Sequence, residues 1–375
     1  MSGPQSAHDW PQPAPAPASA PAPTLDLDPH PFASLTPEAV LDAVAELGVD
    51  VDGRLHALSS YENRVYELCG NEGQGSVIAK FYRPRRWSRE QILEEHAFAA
   101  ELMAAEVPMV GPLSVHARTL HEVRIECPER GASEDRAGES SEETFYMSLS
   151  PKRGGRWPEL DDPDVLAWLG RLLARIHQVG ERAPFVSRPT LNPQTFGWEP
   201  RRWLLEDFSL PSECRDEWAR VSQAALDQVQ EAMAKSVQHV RLHGDFHPGN
   251  ILWTPSGPKT PGGPHFVDLD DARMGPAVQD LWMLLSGERA DQTFGLSCLL
   301  EGYESLREFD RRELALIEPL RTLRLIHYSA WLAQRMADPA FVRAFDWFGS
   351  TSYWTDQIVV LSDQCERMQE PPLVV

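Results

Sequence analysis

The chain has 375 residues, 42% hydrophobic and 24% charged, a balance that suits a globular protein with room for two cores and excludes a fibrous or wholly disordered chain. Its 35 Lys and Arg against 56 Asp and Glu give a net charge of −21. With no basic run, this argues against nucleic acid or an anionic membrane as a partner and leaves a cationic substrate compatible. The cysteines Cys69, Cys127, Cys214, Cys298 and Cys365 are scattered, odd in number and without a Cys-x-x-Cys pair, so free thiols are expected. No stretch approaches the roughly 18 uninterrupted apolar residues of a membrane span, and the first residues carry no basic start or apolar signal segment. The expected location is the cytoplasm.

Residues 1–35 are rich in Pro, Ala and Ser, a composition that predicts a disordered or polyproline II tail outside the fold. Thr36-Pro37-Glu38 opens a helix with Thr36 as N-cap and Val40, Leu41, Val44 and Leu47 on one face. Alternating runs at 54–58, 65–68 and 76–82 predict three short antiparallel strands. The turn between the first two has no glycine, yet its N–H groups and the Ser60 hydroxyl suit phosphate oxygens; an ordinary hairpin loop fits it as well. Lys80, on the third strand, is placed to meet nucleotide phosphates. The helix from Ser88 puts Ile92, Glu95, Phe98 and Leu102 on one face, which makes Glu95 the ion-pair partner of Lys80, with Glu94 the competing choice.

Residues 106–113 are expected to end that helix and begin a strand, 129–143 to form a polar surface loop, and 144–149 another strand. Ser150 to Arg156, with Pro and two Gly, predicts a linker between an N-terminal lobe (36–150) and a C-terminal lobe (151–375). Helices are expected at 164–178, 199–208 and 213–235, then around 296–309, 311–337 and 350–368. His177 reads as a packed structural histidine.

Between these helices lies the most informative stretch, Arg241-Leu242-His243-Gly244-Asp245-Phe246-His247-Pro248-Gly249-Asn250, followed by Phe266-Val267-Asp268. Asp245 and Asn250 lie five residues apart across Pro248 and Gly249, so the loop can turn back on itself. An aspartate to take a hydroxyl proton, with an asparagine and a second aspartate to hold a metal, is the equipment of metal-dependent phosphoryl transfer. The spacing corresponds to the Asp-x-x-x-x-Asn catalytic loop of kinases, with Asp268 in the place of the metal-binding aspartate. Asp280, in the first turn of the helix after Gly275, is placed to cap N–H groups of that loop. A plain polar loop, or a zinc cluster built on His243, Asp245 and His247, also fits the short motif.

With His-Gly-Asp in place of His-Arg-Asp, the loop resembles the aminoglycoside phosphotransferase and choline kinase branch of the kinase-like superfamily. The blocks Ser60-Tyr61-Glu62-Asn63-Arg64-Val65-Tyr66, Lys80-Phe81-Tyr82-Arg83-Pro84, Gln91-Ile92-Leu93-Glu94-Glu95-His96, the catalytic loop, and Val267-Asp268-Leu269-Asp270-Asp271-Ala272-Arg273 with the helix after it resemble the bacterial stress response kinase A family. The resemblance implies an α+β, bilobal fold of the aminoglycoside phosphotransferase type, with a small β-rich N-lobe and a large, mainly helical C-lobe. It implies a serine/threonine protein kinase of the stress response type using ATP and Mg²⁺, with Asp245 and Asp268 catalytic, Asn250 and Asp268 on the metal, and Ser60, Lys80 and Glu95 at the nucleotide. The expected partner is a protein Ser or Thr, the chain itself included, and the expected state is a monomer. The alternatives are a small-molecule hydroxyl kinase, acting on an amino alcohol, a sugar or an aminoglycoside, a non-catalytic nucleotide-binding scaffold, and a zinc hydrolase.

Overall fold

The structure is a computed structural model and describes residues 31–71, 75–126, 142–208, 210–235, 237–257 and 262–375. In chain order the elements are α1 (Pro37–Glu46), β1 (Val51–Leu58), β2 (Arg64–Gly70), β3 (Val77–Phe81), α2 (Arg89–Ala104), β4 (His121–Glu126), β5 (Glu142–Pro151), α3 (Pro163–Gly180), α4 (Glu199–Glu206) and α5 (Ser212–Met233). They continue with β6 (Val240–Leu242), β7 (Ile251–Thr254), β8 (Gly263–Phe266), β9 (Arg273–Gly275), α6 (Val278–Trp282), α7 (Arg289–Glu304), α8 (Ile317–Ala333), α9 (Pro339–Ala344) and α10 (Thr351–Arg367). They fall into two compact units, 31–156 with 252–270, and 157–251 with 271–375. The strands from β7 through β8 thus belong with the first unit, where the sequence reading drew a single division at 150/151.

In the first unit, among the described residues, five strands form an antiparallel sheet in the order β1-β2-β3-β5-β4. Thr36 caps α1 by accepting the Ala39 N–H at 3.2 Å, and Val40, Ala43 and Val44 bury against Leu68, Ala79, Phe81, Phe145 and Met147 of the sheet. Each fully buried Phe or Leu here contributes about 1.5–3 kcal/mol. Ser88 and Gln91 form a reciprocal capping box at the start of α2, which fixes the helix carrying Glu95.

Residues 1–30 of the expected tail lie outside the described residues, but Phe32 and Leu35 are buried in the core and Ser34 donates to Glu143 at 2.5 Å, so the fold begins before Thr36. Of the expected loop 129–143, residues 129–141 lie outside the described residues, while Glu142 and Glu143 open β5. Residues 106–113 form only a bridge, Met109 to Phe266, because Glu106 turns the backbone left-handed (φ 59). The strand is β4 instead, whose alternating buried and exposed positions a period-two scan of 121–126 would have found.

The second unit is helical around a short β6–β9 ladder. Helix α3, capped by Asp162, buries Leu166, Leu169, Leu173 and Ile176. Trp218 of α5 packs edge-on against Trp354 of α10 at 5.6 Å. The ladder pairs Leu242 with Arg273 and so fixes the strand that leads into the Asp245 loop. Among the described residues no helix is long and apolar enough to cross a membrane.

Candidate active site

The chemistry-bearing residues fall in two groups, one in each unit. In the first, Lys80 sits mid-sheet opposite Val65 and Ser148, because β3 pairs on both sides. Its Nζ lies 3.7 Å from Glu95 Oε1, 3.2 Å from Asp268 Oδ1 and 3.1 Å from Asp270 Oδ1, and 4.8 Å over the Tyr82 ring. Burial pulls the ammonium pKa down, but Asp270, Glu95 and Asp268 outweigh it and hold the group well above the ordinary lysine range. Lys80 is therefore charged at any working pH. Of the two competing glutamates, the structure pairs it with the buried Glu95.

Ser60 lies half-buried in the turn between β1 and β2, and arginines clamp that turn in place of glycines. Arg83 donates to the carbonyls of Glu62 at 2.9 Å and Tyr61 at 3.1 Å, while its own N–H is taken by Asn63 Oδ1 at 3.0 Å. Arg86 joins the Glu62 carboxylate, 3.4 Å away, to the Asp270 carboxylate. One chain of charges thus runs from the turn through Arg86 and Asp270 to Lys80. In it the carboxylates of Glu62, Glu95, Asp268 and Asp270 alternate with the cations Lys80, Arg83 and Arg86. Asp268 is left-handed (φ 63), a conformation short polar side chains tolerate, and its side chain is half exposed.

In the second unit the loop after β6 starts at Gly244, whose φ of 85 only glycine adopts readily and whose added Cβ would stand 2.1 Å from the Asp271 carbonyl oxygen. The fully buried Asp280 carboxylate accepts the N–H groups of His243 at 2.8 Å and Gly244 at 2.9 Å, and meets His177 Nε2 at 3.2 Å. This is the capping role read from the sequence, and His177, bridging Asp280 and the Tyr303 hydroxyl, is structural as expected.

Asp245 Oδ1 accepts from the Arg324 guanidinium of α8 at 2.6 Å, and Oδ2 lies 3.4 Å from His247 Nε2. His247 Nδ1 accepts the Gly249 N–H at 3.0 Å, which assigns the ring proton to Nε2, facing the carboxylate. Burial raises the Asp245 pKa, but Arg324 and His247 hold it well below the usual carboxylate range. The Asn250 amide nitrogen donates to the Asp245 carbonyl at 2.9 Å, which commits that end of the amide and leaves Oδ1 as its hard oxygen donor. Asp245 opens onto a cavity of about 50 Å³, lined also by Asp271, Arg273, Arg324, His327 and Phe196.

His243 is buried edge-on against Phe246 at 5.2 Å. Among the described residues no group of three or more His, Cys, Asp and Glu is arranged to hold a metal, so the zinc cluster is not formed. Sequence reasoning missed Asp270, Arg83, Arg86 and Arg324. The acidic run 268–271 was a usable signal for Asp270; Arg324 had none, because it meets Asp245 across 79 residues of chain.

Residues 54–317 match the model of the phosphotransferase enzyme family. The chain belongs to that family. Its sequence is 42% identical over 343 residues to "Stress response kinase A" of Escherichia coli (strain K12), covering 91% of this chain and 96% of that one. It is 41% identical over 342 residues to "Serine/threonine protein kinase RdoA" of Salmonella typhimurium (strain LT2), with the same coverage. Within the phosphotransferase family the chain therefore groups with the stress response kinase A proteins. Among solved structures it is similar to the amicoumacin kinase hAmiN in complex with AMP-PNP, Ca²⁺ and Ami (TM-score 0.66, 20% identity, 90% of this chain and 94% of that one). It is also similar to a microcompartment-associated aminopropanol kinase (TM-score 0.60, 19% identity, 88% and 96%). At these identities the likeness shows the fold, which is the aminoglycoside phosphotransferase type expected from the loop. The protein is a phosphotransferase.

Proposed function

We propose that this phosphotransferase is an ATP- and Mg²⁺-dependent kinase that phosphorylates Ser or Thr hydroxyls of proteins, with its own chain among the acceptors. The observation that carries the reading is the Asp245–Asn250 pair: a carboxylate held ionised, with the Asn250 amide nitrogen bonded to the same loop. Nucleotide and divalent-cation use is supported by the AMP-PNP and Ca²⁺ bound to hAmiN, and the protein acceptor by the name of the Salmonella relative.

In this reading Asp268 and Asn250 Oδ1 would hold the cation, which supplies charge neutralisation at the transferring group when bound. Lys80, kept charged by its three carboxylates and oriented by Glu95, binds the nucleotide phosphates, and the Ser60 turn, clamped by Arg83 and Arg86, meets them with its N–H groups. Asp245 orients the acceptor hydroxyl and takes its proton as the oxygen bonds to phosphorus and ADP leaves. Catalysis is positioning and electrostatics. The test is transfer of label from γ-labelled ATP by the full chain to itself, to a generic Ser/Thr protein and to a panel of amino alcohols and aminoglycosides. Label on protein Ser or Thr is expected; label entering small molecules alone would replace this reading by a metabolite kinase.

A further inference from the structure

We propose that the acceptor hydroxyl of this chain lies beside an anionic group, a carboxylate or phosphate, and that Arg324 selects it. The inference rests on Asp245 as the proton acceptor and extends that reading to the class of substrate.

The chain as a whole is strongly acidic, but the pocket at Asp245 is not. Its two carboxylates are each matched by an arginine: Arg324 donates to Asp245 Oδ1 at 2.6 Å and Arg273 to Asp271 Oδ1 at 2.6 Å. Two imidazoles stand beside them. His247 lies 3.4 Å from the other Asp245 oxygen, and His327 stacks at 4.2 Å on Phe196, which also lies against the Arg273 guanidinium at 4.4 Å. Among the described residues that line this pocket, both carboxylates are already held by guanidinium groups, and an ammonium-bearing acceptor would stand against Arg324. The negative net charge of the sequence leaves a cationic substrate compatible; within this pocket the carboxylates and guanidinium groups balance, and Arg324 is the more exposed of the two arginines.

Arg324 is the member able to read the acceptor. Its side chain is 30% exposed, whereas that of Arg273 is 5% exposed and fixed twice to Asp271. Its guanidinium stands on Asp245 Oδ1, so a hydroxyl handed to that carboxylate arrives next to a full positive charge. A planar fork of N–H donors matches a carboxylate or phosphate in two bonds, and favours an acceptor that carries one close to its hydroxyl.

The experiment uses the full-length protein with ATP and Mg²⁺. One arm compares peptides with a single Ser or Thr flanked by Glu, Gln or Lys; the other compares short hydroxy acids with the matching amino alcohols. Within whichever arm is phosphorylated, the anionic acceptor should exceed the cationic one in kcat/KM by about tenfold or more, the ratio that one such charge pair gives. Arg324→Gln should bring that ratio to near unity, and Arg324→Lys should restore part of it, a rescue that a purely structural role would not produce. A wild-type preference for cationic acceptors, or a ratio unchanged in Arg324→Gln, overturns the inference while the kinase reading stands. Transfer to no acceptor of either arm overturns the kinase reading and this inference with it.

Discussion

Asp280 is where the fold holds the catalytic loop, and its replacement tests how much of the site is positioning. The carboxylate takes two backbone N–H groups, from His243 and Gly244, at 2.8 and 2.9 Å, in a spot with no exposure to solvent. A hydrogen bond to a charged group contributes about 1.5–3 kcal/mol, and water cannot replace it here, so Asp280→Ala should destabilise the protein by about 3–6 kcal/mol. Asp280→Asn keeps the shape but offers a single acceptor oxygen and turns an NH₂ toward one of the donors, for a loss of about 1.5–3 kcal/mol. Because Gly244 immediately precedes Asp245, kcat should fall by about tenfold or more in Asp280→Asn, while KM for ATP stays within about threefold. Urea unfolding and steady-state kinetics measure the two effects. An Asp280→Asn protein within about 0.5 kcal/mol of wild type and with full kcat would refute the claim that this carboxylate shapes the loop.

Gly244→Ala forces a left-handed alanine whose Cβ would clash with the Asp271 carbonyl. It should cost about 2 kcal/mol or more in thermal or urea unfolding and lower kcat with it. Lys80→Met removes the cation from among Glu95, Asp268 and Asp270, and should lower kcat/KM for ATP by about 100-fold or more, while Glu95→Gln lowers it less. Glu313 accepts the Val278 N–H at the start of the helix that carries Asp280, and burial pushes its pKa from 4.5 up to about 7. The folded state then binds the proton more tightly than the unfolded one, so this stabilisation is complete below pH 4.5 and lost as pH rises through about 7. Relative to Glu313→Gln, the wild type should lose about 3 kcal/mol between pH 4.5 and pH 8, read by urea unfolding at each pH; parallel profiles would contradict it.

The legible parts of this protein are those whose partners lie close in sequence or repeat with a known period. The Asp245–Asn250 spacing, the Thr36 cap and the placement of Glu95 on the buried face of its helix all follow from local geometry. Asp280 was also readable, because a carboxylate in the first turn of a helix has few other tasks. The clamp on the turn between β1 and β2 was not: Arg83 and Arg86 read as surface arginines until the fold brings Glu62 beside them and the chain returns with Asp270. Phe32, Ser34 and Leu35 were hidden for a compositional reason, since they close a Pro- and Ala-rich run yet dock into the sheet core. Arg324 lies on a helix whose pattern announces only packing, and its meeting with Asp245 is a fact of tertiary structure alone.

The most direct test of the account is phosphoryl transfer from γ-labelled ATP by Asp245→Asn, beside wild type, with folding checked by thermal melting. The substitution keeps the size of the side chain and removes its capacity to take a proton. The account predicts a native melt and a fall in kcat of about 100-fold or more with little change in KM for ATP. A variant that keeps kcat within about threefold of wild type would show that Asp245 is not the proton acceptor.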